Sequence, residues 1–289
     1  MRLRVPLAAV AVGLLAACGG TGGDKPTDST TAASSTVAAV PAVYTIVAKD
    51  FSYEAPDTIT AGMVTLRLVN QGPELHHVQI LKLDDGKTAA DLEAGLKQMK
   101  PDSPPPPWVH EVAGPNSPVP GGEQSVTQDL APGNYVLICF IPSADKVPHA
   151  MKGMMKALTI VPATSANAAA PTADITVKMT DYAWTVTPEL TAGAHVLKIE
   201  NEAAQAHELF IAQLAPGKTV ADLAKWVGEM KGPPPGKPIG GITGMMKGTT
   251  VYVPVNLEPG EYGMYCFLPD AKDGKMHVEH GMMKQFSVK

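Results

Sequence analysis

The chain repeats itself. Asn70 and Asn201, His76 and His207, and Gly86 and Gly217 all stand 131 residues apart. DFSYEAPDTITAG from Asp50 aligns without a gap with DYAWTVTPELTAG from Asp181, and GKTAADL from Gly86 aligns with GKTVADL from Gly217. Later in each copy the step shortens to 127 (Cys139 to Cys266, Pro132 to Pro259) and then becomes 128 (His149 to His277, Gly153 to Gly281). A changed step marks a length change in a loop, and a held step marks residues kept in register. A period this long exceeds the roughly 20–50 residues of solenoid units and reads as two tandem domains. They cover residues 43–162 and 174–289, and the prior of about 150 residues per domain gives the same number from this chain length. Each copy is long enough to bury its own core.

Aromatic residues make up 5% of the chain, against 27 glycines and 27 prolines, which suits turn-rich β-structure. YTIVAKDFSY, GMVTLRLVN, HHVQILKL, QSVTQDL and NYVLICF alternate or run apolar between Gly, Pro and Asn. The second copy answers with HVLKIEN, HELFIAQL, TVYVPVNL and EYGMYCF. One helix per copy is predicted, at residues 89–99 and 220–230, each followed by a proline-rich loop, Pro104–Pro107 and Pro233–Pro235. The predicted fold is all-β: two tandem Greek-key β-sandwiches, each with one short inserted helix.

Each copy carries His, Cys, His and Met in the same order. The first set is His76, Cys139, His149 and Met154, and the second is His207, Cys266, His277 and Met282. Two imidazoles, a thiolate and a weak thioether are the ligand types of a blue-copper site. Thiolate and thioether suit Cu(I), and imidazole suits both oxidation states. The repeat selects His76 over His77, because His77 aligns with Glu208, which is no ligand of such a site. His195 aligns with Val64 and His110 has no counterpart, so both read as surface or strand residues. His280 aligns with Lys152 and competes with His277 for the second imidazole of copy 2.

Cys139 and Cys266 occupy the same position of two separate domains. A disulfide demands Cα atoms within about 7 Å, and equivalent strand ends in different cores rarely meet, so both are expected to be unbridged.

Arg2 and Arg4 precede an apolar run ending in Leu-Ala-Ala-Cys at residues 15–18, the pattern of an export signal. LAAC resembles the bacterial lipobox, which implies removal of residues 1–17 and acylation of Cys18. Several acyl chains anchor stably where one would be marginal. Residues 18–42 are a Thr/Ser/Ala/Gly-rich stalk and residues 163–173 a linker of similar composition. Losing two arginines leaves 21 basic against 28 acidic residues. That balance argues against a nucleic-acid partner and is compatible with a cationic redox partner.

Both copies resemble cupredoxins of the plastocyanin and azurin type. An AG turn leads to a strand ending in Asn, and a Gly-containing loop, NQGPELHH from Asn70, delivers the first His. A PG-x-Y hairpin leads to a strand ending in Cys, and a His-x4-Met spacing precedes the closing strand. The resemblance implies one copper per domain, with Met154 and Met282, each preceded by Gly, as axial thioethers. Strand parity agrees, because Leu158 and Ile160 lie at even steps from Met154, and Phe286 and Val288 from Met282. Met155 and Met283 have the wrong parity and read as packing or surface residues. The chain departs from the family in its longer loops between Cys and the second His, FIPSADKVP and FLPDAKDGKM.

Related two-domain enzymes place a His directly beside the blue-copper Cys. The neighbours here are Ile138 and Phe140, and Tyr265 and Phe267, so the chain is expected not to be an enzyme. The sequence thus reads as a lipid-anchored cell-envelope protein, facing the periplasm or cell exterior, whose two type 1 copper sites transfer single electrons to a redox partner protein. Two alternatives stay open. One is copper storage or delivery between a donor and an acceptor, suggested by the MKGMMK, GMMK and HVEHGMMK clusters; the other is a copper-free scaffold.

Overall fold

A computed structural model of the chain describes residues 39–98, 105–164 and 167–289. The export signal, Cys18, most of the stalk, the end of the first predicted helix with Pro104, and part of the linker lie outside the described residues. None of the described helices is long and apolar enough to cross a membrane.

Copy 1 runs β1 (Ala42–Lys49), β2 (Ser52–Glu54), β3 (Thr58–Thr60), β4 (Gly62–Asn70), β5 (Gln79–Leu83), α1 (Ala89–Gln98), β6 (Val109–Val112), β7 (Glu123–Leu130), β8 (Gly133–Ile138) and β9 (Met155–Val161). Copy 2 runs β10 (Ile175–Thr180), β11 (Ala183–Thr187), β12 (Gly193–Asn201), β13 (His207–Leu214), α2 (Val220–Glu229), β14 (Gly236–Met245), β15 (Thr250–Leu257), β16 (Gly260–Tyr265) and β17 (Met283–Val288). A single 3-10 turn precedes each closing strand, His149–Lys152 and His277–His280.

The helices stand where the repeat places them, and their starts share one device. Thr88 and Asp91 exchange backbone and side-chain hydrogen bonds at the start of α1, as Thr219 and Asp222 do at α2. Such a reciprocal cap satisfies two otherwise orphaned N–H groups. Leu92 and Leu223 anchor the helices on the outer faces of their sheets, in clusters that include Val136 and Ile138, and Phe210 and Tyr265.

The all-β reading holds, with one feature that the repeat did not announce. Copy 1 has a sheet of its own in the order β3-β9-β8-β5-β6, and copy 2 has β14-β13-β16-β17. The opposing sheet is shared: eight strands run β11-β10-β12-β15-β7-β4-β1-β2 through both copies. The equivalent strands β7 and β15 join antiparallel, Gln128 opposite Val251 and Thr127 opposite Tyr252. Each core fills the space between the shared sheet and the private one. Ile46, Leu66 and Leu68 pack with Ile80, Leu137 and Ile160 in copy 1, and Val177, Leu197 and Val253 pack with Leu209, Ile211 and Met264 in copy 2. Fully burying one such side chain is worth about 1.5–3 kcal/mol relative to exposure.

A polar seam runs beside the shared sheet. The backbone of Gly114 and Asn116 pairs with Gly241 and Thr243, and the Asn116 side chain donates to Ile242 O at 3.0 Å and Glu208 Oε2 at 3.3 Å. Gln79 Nε2 donates to Gly244 O at 2.9 Å and Thr243 Oγ1 to Val78 O at 3.2 Å. The two copies belong to one compact unit.

Candidate metal centres

Strand parity puts each cysteine inside its sandwich. Leu137 and Cys139 face the core between the sheets, while Val136 and Ile138 face the helix. The first histidine arrives on a loop shaped by the strand-end asparagine. Buried Asn70 accepts from Gly72 N at 3.0 Å and donates to Glu74 O at 2.8 Å. Asn201 repeats this with Ala203 N at 2.9 Å and Gln205 O at 2.9 Å. The second histidine opens the 3-10 turn, which ends at Gly153 with φ of 102° in copy 1 and at Gly281 with φ of 89° in copy 2. Only glycine adopts that conformation without strain, and the reversal turns the following methionine inward.

Six of the eight residues selected from the sequence are shown to converge, as two triads, His76, Cys139 and His149 in copy 1 and His207, Cys266 and His277 in copy 2. His76, Cys139, His149 and Met154 are each 0% exposed, as are His207, Cys266, His277 and Met282. In copy 1 the two Nδ1 atoms lie 3.1 Å apart, with Cys139 Sγ 3.4 Å from His149 Nδ1. In copy 2 the Nδ1 atoms lie 3.0 Å apart, and Cys266 Sγ is 3.1 Å from His277 Nδ1 and 3.8 Å from His207 Nδ1. Cys139 N donates to Met154 O and Cys266 N to Met282 O, both at 3.2 Å, which fixes each methionine beside its cysteine. The long loops after the cysteines therefore return their histidines to the centre. Both cysteines are unbridged and buried.

His277 and not His280 joins copy 2's centre; His280 is exposed and faces Asp273 at 3.1 Å. His110 pairs with Asp84, and His195 with Asp174, away from both centres. Met155 and Met283 pack in the clusters under the helices.

Electrostatics favour a cation at both points. The Nε2 atoms turn outward to carboxylates: His76 to Asp50 and His149 to Glu74, both at 2.9 Å, and His207 to Asp181 at 3.3 Å. A carboxylate only accepts, so the ring proton sits on Nε2 and Nδ1 presents a lone pair. In copy 1 two lone pairs 3.1 Å apart beside a sulfur are buried acceptors with at most the thiol proton to share, and in copy 2 the His207 lone pair faces His277 Nδ1 at 3.0 Å. Burial lowers the His76 and His207 pKa values and pushes His277 down to about 4, so these imidazoles are neutral donors near pH 7. Burial pushes the Cys139 thiol up to about 11 and the Cys266 thiol well above its ordinary value, the latter aided by Glu208. Backbone N–H groups of His77 and Ile141, and of Glu208 and Leu268, point at the two sulfurs and oppose that rise. The donor set is one that copper fits: two imidazole nitrogens and a sulfur that a metal would keep deprotonated.

No protein-family model matches the sequence, and no curated relative matches it. Solved structures do. An auracyanin from the photosynthetic bacterium Roseiflexus castenholzii matches at 22% identity and a TM-score of 0.30, over 43% of this chain and 100% of its own. A multicopper oxidase matches at 14% identity and a TM-score of 0.26, over 86% of this chain and 88% of its own. A copper-containing nitrite reductase from Thermus scotoductus matches at 10% identity and a TM-score of 0.23, over 86% of this chain and 61% of its own.

Each copy is a β-sandwich that carries a cysteine at a strand end and a histidine on the loop beyond it. Solved enzymes match across the span of both copies, which corrects the expectation that the chain is not an enzyme. Tandem sandwiches without a histidine beside the cysteine do not exclude catalysis.

Sequence reasoning placed His77 and Glu208 outside the ligand sets but missed what they do. It also missed the carboxylates behind the imidazoles. The repeat offered a signal for one of them, since Asp50 and Asp181 open the aligned DF and DY segments.

Proposed function

We propose that each copy holds one copper ion, bound by His76, Cys139, His149 and Met154 in copy 1 and by His207, Cys266, His277 and Met282 in copy 2, and that the protein transfers electrons singly. The observation that carries this reading is the buried meeting of two imidazole Nδ1 atoms and a cysteine sulfur, built twice. Copper supplies a one-electron couple whose two states both accept this ligand set. Lipid attachment at Cys18 would tether the domains to a membrane through the Thr/Ser-rich stalk, within reach of a redox partner in the cell envelope.

Copper handling is a second reading, favoured by Met151, Met246 and Met276, which are 50%, 42% and 42% exposed and offer soft donors at the surface. Copper loading of the chain, followed by visible absorption and EPR, separates the two. Two coppers per chain, an intense charge-transfer band and reversible cycling are expected, with half of the signal lost in Cys139→Ala and half in Cys266→Ala. Tight, colourless Cu(I) binding with ready release would favour handling, and a signal indifferent to both substitutions would refute the ligand assignment.

A further inference from the structure

The two centres differ in what stands behind their imidazoles. In copy 1 each Nε2 meets a carboxylate at 2.9 Å, Asp50 behind His76 and Glu74 behind His149. The position equivalent to Glu74 in copy 2, 131 residues on, is the neutral Gln205. Copy 2's acid stands instead at Asp270, 127 residues beyond Ser143, and its Oδ2 lies 3.8 Å from His277 Nε2. Asp270 is engaged elsewhere: it accepts from the Tyr182 hydroxyl, from Gln205 Nε2 at 2.8 Å and from the backbone N–H groups of Lys272 and Asp273. These bonds hold its carboxyl well below the usual range. His277 Nε2 is buried and has no hydrogen-bond partner among the described residues.

The first histidines differ in the same sense. A Cβ at Gly72 would lie 2.5 Å from His76 Nε2 and 2.7 Å from Asp50 Oδ1, so the close pair depends on that glycine. Copy 2 has Ala203 at the equivalent position, and its His207–Asp181 contact is 3.3 Å. Two independent substitutions between the copies thus loosen both carboxylate contacts of copy 2.

An imidazole that donates its N–H to a carboxylate is fixed in one tautomer and is a stronger donor through the other nitrogen. Stronger donation and a nearby negative charge favour the higher metal charge. On the copper reading above, we propose that Asp50 and Glu74 are positioning residues that lock His76 and His149 as Nε2–H donors and poise copy 1 at a lower reduction potential than copy 2. With copper held at both centres, an external one-electron donor would reduce copy 2 first and a second electron would reduce copy 1, each step adding one electron and needing no proton.

Two measurements test this. Long-range proton–nitrogen NMR of the metal-free full chain at neutral pH should show His76 and His149 with the proton on Nε2, and a proton on Nδ1 of either ring would overturn the assignment. Potentiometric titration of the copper-loaded chain should resolve two steps, the lower of which vanishes in Cys139→Ala. Exchanging the residues should move them: Glu74→Gln and Gly72→Ala raise the copy 1 step, and Gln205→Glu lowers the copy 2 step. Full copper occupancy with one unresolved step, a lower step that belongs to copy 2, or a copy 1 step indifferent to Glu74→Gln would overturn the proposal while leaving the copper reading intact. A wild-type chain that takes up no copper would overturn both.

Discussion

His77 and Glu208 occupy the same position of the two copies and perform one task with different chemistry. His77 Nε2 accepts the backbone N–H of Phe140 at 3.0 Å, and Glu208 Oε1 accepts that of Phe267 at 2.5 Å, each on the residue directly after the cysteine. Burial lowers the His77 pKa to about 3, so its ring is neutral and able to accept near pH 7. Either residue therefore pins the chain at the point where it leaves the strand and begins the long loop to the second histidine.

Removing that acceptor leaves a backbone donor unpaired. Glu208→Ala is expected to cost about 1–3 kcal/mol and His77→Ala, whose bond water can reach, less, whereas His77→Gln and Glu208→Gln keep an acceptor and recover most of it. Denaturant unfolding of the metal-free chain measures this. Equal losses in the Ala and Gln variants would show that the hydrogen bond is not what matters.

The shared sheet and the polar seam make the two copies one folding unit, so metal-free protein should unfold in a single calorimetric transition. A Cβ at Gly114 would lie 1.9 Å from Val78 O, in the strip that pairs with Thr243. Gly114→Ala should therefore cost about 3 kcal/mol and separate the transition in two. Two transitions in the wild type would contradict this.

Leucine conserves the volume of methionine but cannot donate to a metal. Met154→Leu and Met282→Leu should change stability by less than about 1.5 kcal/mol while altering the copper absorption and EPR of one centre each. Unchanged spectra would make both methionines packing residues only.

Burial raises the pKa of Glu111 and of Glu208 to about 7, the latter also through the nearby Glu111. An acid whose folded value is raised contributes stability in full below its unfolded value near 4.3. That contribution falls as pH rises towards 7, by about 1.4 kcal/mol per pH unit per group. His77 and His277 have the opposite sign: their folded values of about 3 and 4 lie below the unfolded value, so their stability is lost as pH falls from about 6.5. The comparison of wild type with Glu111→Gln isolates one acid. Raising the pH from 5 to 8 should destabilise the wild type more than the variant, and parallel pH profiles would rule the effect out.

The sequence by itself determined the duplication, both helices, most of the strands (β6 and β14 were not among them) and five of the six converging donors, His76, Cys139, His149, His207 and Cys266. These are local or periodic facts. A held step of 131 keeps Asn70 and Asn201, the helix caps and the first histidines in register, and alternation along β8 tells Cys139 from Ile138. Only the tertiary structure decided which of His277 and His280 enters the centre, because both lie on one short turn and its direction depends on what packs beneath it. It alone joined β7 to β15, since an edge strand's partner is set by what else the folded chain brings alongside. It alone set Glu74 directly against its imidazole and drew Asp270 away from the corresponding one: these contacts link residues 75 and 7 positions apart, and loop packing, not spacing, fixes their lengths.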